Sequence, residues 1–231
     1  MVLSNRLACY ASELGLEQHI VVHIGLPEFL SDCDVNLHDK QIVGCTTYGH
    51  YSQSVHIWIS AQEELDDFYR DQIIAHELGH VWLAKLRLPF LSSDTSHMRT
   101  DIVNSIAEDP ICDWKAMRAG FLSTELIIRE ADLLLESITT RNLCKERVQC
   151  IDLHEFAVAI RILSCSAVTT KMKQGIKDHI EALSESLTVA IEAYFYQCYD
   201  ILNNCRPAAH YHRLASLRKI LLLHDTQINW D

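Results

Sequence analysis

The run His76-Glu77-Leu78-Gly79-His80 constrains this chain more than any other feature, because its spacing has chemical meaning only on a helix. With 3.6 residues per turn, residues four apart lie on one face, so both imidazoles can reach a single metal ion while Glu77 lies toward the same centre. The flanks suit a helix. Ile73 and Ile74 precede the motif, Val81 and Leu83 follow it, and Gly79 is small at a point where a bulkier residue would crowd the site. A surface helix that carried two histidines by coincidence would need neither the intervening acid nor these apolar flanks. Two imidazoles with a carboxylate between them suit zinc, which lowers the pKa of a water it holds toward neutrality, so that the carboxylate can take the proton as the oxygen attacks a carbonyl. The reaction implied is hydrolysis of a peptide bond, with His76 and His80 as zinc ligands and Glu77 as general base and then acid.

A catalytic zinc site takes a third protein ligand and keeps one position open. No histidine occurs from Val81 to Pro89, and the next, His97, sits in the turn-like Ser92-Ser93-Asp94-Thr95-Ser96, a poor rigid mount. Asp101 to Asp109 is better placed: Ile102, Val103 and Ile106 mark a second helix, with Ser105, Glu108 and Asp109 on its polar face. Glu108 and Asp109 are both candidate ligands. If Asp109 serves, Asp113 stands four residues on as its supporting carboxylate. Pro110 removes a backbone donor and crowds the preceding turn, which predicts a kink or a restart of the helix there.

Ahead of the motif helix, Val55-His56-Ile57-Trp58-Ile59-Ser60 reads as a β-branched and aromatic strand ending in the polar turn Ala61-Gln62-Glu63-Glu64. Strand and motif together resemble the zincin metallopeptidases, in which an edge strand just before the active-site helix pairs with extended substrate; main-chain pairing of that kind makes little demand on the peptide's sequence. An acidic ligand on the following helix resembles the gluzincin group, and within it the chain is most similar to the ImmA/IrrE-type metallopeptidases, over roughly Val55 to Gly120. This resemblance implies Glu108 as the third ligand, a cytoplasmic setting and an often regulatory role. One departure is plain. Many gluzincins carry an aspartate four residues after the ligand glutamate, and here that position is Cys112, with Asp113 one further on.

The 231 residues suffice for one metallopeptidase domain with a substantial core, over 1–231. Residues 1–60 form a sheet-rich part, with strand-like runs at His19 to Ile24, Gln41 to Tyr48 and Val55 to Ile59. Residues 61–120 hold the metal helices. Residues 121–231 show helical apolar spacing at Glu125 to Ile138, Leu153 to Leu163, Ile176 to Tyr199 and Leu214 to Leu223. The expected class is α+β: a small, zincin-like antiparallel sheet beside the HExxH helix and a second metal-ligand helix, with a mostly helical C-terminal half. His210-Tyr211-His212 reads as the polar start of the last helix, and His154-Glu155 as another helix start, because Val158 stands where a second zinc motif would need its histidine.

A net charge of −11 argues against a nucleic-acid partner, which would require clustered Lys and Arg. No apolar run approaches the roughly 20 residues that span a bilayer, and Met1 to Arg6 does not open a secretion signal. Nine cysteines without a CxxC pair suit reduced, buried thiols in the cytoplasm. The expected partner is therefore a protein or peptide substrate and the expected cofactor Zn2+. A second reading, from a different class, is a catalytically weak zincin-fold module that regulates by binding a partner; the intact Glu77 favours the enzyme.

Overall fold

A computed structural model of the chain describes residues 3–16, 19–25, 44–48, 54–59, 67–87, 100–121, 127–129, 131–136, 151–165, 168–183, 187–194, 207–224 and 228–229. The elements are α1 (Asn5–Glu13), β1 (His19–Ile24), β2 (Gly44–Tyr48), β3 (Ser54–Ile59), α2 (Asp67–Lys85), α3 (Thr100–Arg118), β4 (Ile151–Asp152), α4 (Leu153–Ser164), α5 (Thr170–Leu183), α6 (Pro207–Leu223) and β5 (Ile228–Asn229). The described chain is mostly helical with two small sheets, compatible with the α+β class. No described helix is long and apolar enough to cross a membrane.

The chain divides into two compact units, residues 1–86 with 112–122, and residues 87–111 with 123–231, so that α3 contributes to both. In the first unit the sheet order is β1-β3-β2. β3 pairs parallel with β1 in the register Ile20↔Val55, Val22↔Ile57, and antiparallel with β2 in the register Thr46↔Ile57, Tyr48↔Val55. Two expectations are corrected here. The sheet is mixed, not antiparallel, and the strand before the motif helix is the central strand, not an edge. Both follow from the pairing of β3 with β1, between residues 35 apart in sequence, which the alternation within one strand does not encode. That alternation does fix the faces: Val55, Ile57 and Ile59 are buried, while Ser54, His56 and Trp58 are half-buried on the other side.

α2 packs on β2 and β3. The helix α1, which the sequence reading did not anticipate, packs on α2. Ser4 caps α1, its hydroxyl accepting from the Leu7 amide at 3.3 Å and donating to Asp71 of α2 at 3.0 Å. Leu7, Tyr10, Ala11 and Leu14 form its buried stripe, and Tyr10 meets Phe121 with ring centroids 5.2 Å apart.

In the second unit the core is helical: Val103 and Ile106 of α3, Phe156, Ile160 and Leu163 of α4, Ile176 and Ile180 of α5, and Leu214, Leu217 and Leu221 of α6 are all buried. β4 and β5 add a short parallel pair, Ile151↔Ile228. The run expected as helical from Ile176 to Tyr199 is helical to Leu183 and again over 187–194. α3 continues through Pro110 without the restart that residue suggested. Pro110 has no N–H for the Ile106 carbonyl and crowds that turn. The buried guanidinium of Arg213 donates to the next carbonyl, Ala107, at 3.0 Å.

Candidate metal centre

The motif helix α2 carries Asp67 in its first turn and Lys85 in its last, charges that complement the helix dipole. Ile74, Ala75, Leu78, Val81 and Leu83 are buried and set its rotation, which leaves His76 and His80 half-buried on a neighbouring stripe. Their Nε2 atoms lie 3.2 Å apart, with the rings at 73°. Two nitrogens each about 2.0–2.1 Å from a zinc ion, at a tetrahedral angle, would be separated by about 3.3–3.4 Å. The pair therefore fits that ion with almost no movement. Glu77, between them in sequence, is buried at 6% exposure.

The far nitrogen of His76 is also held. Its Nδ1 lies 2.7 Å from Oδ1 of the buried Asp113 on α3. A carboxylate only accepts, so Nδ1 carries the proton and donates it, and the lone pair is left on Nε2, where a metal would need it. Gly79 permits this approach of helices: a Cβ there would stand 2.8 Å from the Cys112 Cβ, closer than side chains tolerate. The glycine is thus required by space, and the contact delivers Asp113, the next residue, to His76.

Asp109, Cys112, Asp113 and Ala116 follow the i, i+3, i+4, i+7 stripe of one helix face. Asp109 lies one turn before Asp113, and its carboxylate joins His76 and His80 in a group whose ligand atoms all lie within 4.8 Å of one another. The expected third ligand, Glu108, is not in that group. Neighbouring helical residues point about 100° apart, and the Glu108 carboxylate lies instead 4.0 Å from Nε2 of the buried His210 on α6. Asp113, expected as a supporting carboxylate for Asp109, lies against Nδ1 of His76.

The sequence reading missed two further features. Gln72, one turn before His76, is 1% exposed and its amide has no hydrogen-bond partner among the described residues. His210, expected at a polar helix start, is fully buried; burial chiefly, and then the Arg213 guanidinium, lower its pKa to about 4 against the opposing pull of Glu108. A buried histidine within an otherwise polar segment offers no sequence signal beyond Leu214 and Leu217, which follow on the same helix. His97 lies outside the described residues, and so does the His154 side chain, although α4 does begin at that point. Of the aromatic run Tyr194, Phe195, Tyr196 and Tyr199, Tyr194 is core and the rest lie outside the described residues. No protein-family model matches the chain, and neither a curated protein nor a solved structure matches it.

Proposed function

We propose that this chain is a zinc-dependent metallopeptidase that hydrolyses a peptide bond in a protein or peptide substrate. The observation that carries the reading is the convergence of His76 Nε2 and His80 Nε2 at 3.2 Å with a buried carboxylate fixing the tautomer of His76. A hydrogen-bonded surface pair would need no such support. Two imidazoles and a carboxylate suit zinc with one open position and disfavour calcium, which takes oxygen ligands. His76, His80 and Asp109 would hold the ion, and zinc bound there supplies Lewis acidity toward a water and the scissile carbonyl.

The chain's own groups do the rest. Asp113 keeps His76 oriented and the proton on its Nδ1, which makes Nε2 the more basic, ligating nitrogen. Glu77 accepts the proton of the attacking water and delivers it to the leaving amine, so its loss raises the barrier without removing a ligand. Because β3 is paired on both sides, its own main chain is not the one that extended peptide would pair with.

The test is zinc content together with cleavage of candidate peptides and partner proteins by wild type and by Glu77→Gln. The variant is expected to keep one equivalent of zinc while cleavage falls by about 10²-fold or more. Unchanged cleavage discards the mechanism, and a variant that no longer binds zinc contradicts the division of roles.

A further inference from the structure

We propose that His23 and His56 form a second metal site, separate from the His76–His80 pair, that takes a divalent ion of tetragonal preference such as Cu2+ or Ni2+. The two residues come from adjacent parallel strands. His23 pairs in register with Trp58, and Val21 with His56, so the two histidines are diagonal neighbours on the face opposite the buried Val55, Ile57 and Ile59. Nε2 of His23 lies 2.8 Å from Nδ1 of His56.

That separation suits two nitrogens in adjacent positions on one ion. Two nitrogens about 2.0 Å from a metal at a right angle stand about 2.8 Å apart, whereas the tetrahedral arrangement of zinc asks for about 3.3 Å. The strand pair, at 2.8 Å, stands at the shorter separation. Ligand order favours copper further, since affinities of nitrogen sites rise through nickel to Cu2+.

The rings are also restrained before any ion arrives. His23 stacks on Trp58 with centroids 3.9 Å apart and planes at 14°, and lies nearly parallel to His56 at 5.1 Å and 16°. Both side chains are mounted on strands within one sheet, so ordering them costs less entropy than gathering two loop residues. Two protein ligands leave the other positions to water, so the ion is exchangeable from solvent.

The experiment titrates full-length, zinc-loaded protein with CuCl2 and separately with NiCl2, following heat and tryptophan fluorescence while a zinc dye reports any displacement. Expected is one further equivalent of Cu2+ bound without zinc release, with quenching through Trp58, which lies against His23. His23→Phe keeps a ring to stack on Trp58 but removes the nitrogen, and is expected to weaken that equivalent by about tenfold or more, as is His56→Ala. Trp58→Phe should lose the quenching and keep the heat. His76→Ala should lose zinc and keep the copper equivalent, so failure here and failure of the zinc site are read separately. Absence of a further equivalent, or binding by His23→Phe equal to wild type, overturns the proposal and leaves a hydrogen-bonded histidine pair.

Discussion

The two histidine pairs of this protein solve one problem with different materials. His76 and His80 belong to one helix, four residues apart, and the far nitrogen of His76 is fixed by the buried Asp113 at 2.7 Å. His23 and His56 belong to two strands, 33 residues apart, and no described carboxylate touches them; ring stacking on Trp58 takes the place of a hydrogen bond. A carboxylate sets the tautomer and raises the basicity of its imidazole, whereas stacking sets only the plane. On the proposed reading the helix pair holds its ion tightly and the strand pair exchanges its own.

The comparison breaks most visibly if the helix pair loses its privilege. His76→Ala or His80→Ala is expected to take zinc from about one equivalent per chain to almost none after desalting, while His23→Ala leaves zinc unchanged. Metal analysis of the purified variants measures this directly, and equal losses from both pairs would erase the distinction.

A smaller effect sharpens the ligand set. Asp109→Ala is expected to lower zinc affinity by more than about 100-fold, and Glu108→Ala by less than about tenfold, because the Glu108 carboxylate faces His210 and not the motif histidines. Competition with a chelator of known affinity ranks the two; the reverse order would restore Glu108 as ligand. Smaller still is Asp113→Asn, which preserves shape but offers a neutral partner to Nδ1. It should cost about 10- to 100-fold in zinc affinity with the fold intact. No change on that substitution would mean that the tautomer of His76 is set by something else.

What was legible in the sequence was local. The alternation in His19 to Ile24 and Val55 to Ile59 gave strands within a residue of β1 and β3, and HExxH gave α2 with both histidines on one side. What was not legible depended on distant partners. The place of β3 in its sheet is decided by β1, and the carboxylate behind His76 comes from 37 residues away. The resemblance implies Glu108 over Asp109 as the third ligand. The structure groups Asp109 with the two histidines instead, because the contact of α3 with α2 at Gly79 and Cys112 brings the Asp109–Asp113 stripe forward. The helix α1 was available from the Ser4 cap and the spacing of Leu7, Tyr10, Ala11 and Leu14, and went unread.

The contact between Gly79 and Cys112 also ties the metal centre to sulfur chemistry. The Cys112 thiol is fully buried against a backbone that cannot accept even a methyl group. An oxygen added to that sulfur, or an alkyl group from a reagent, has no room while the two helices are closed. Modification of Cys112 therefore waits on their separation, and its rate counts the openings of the helix pair. Once made, the adduct acts as a wedge. Asp113 is then carried away from His76, and an oxidant that catches the protein open leaves the helix pair unable to close.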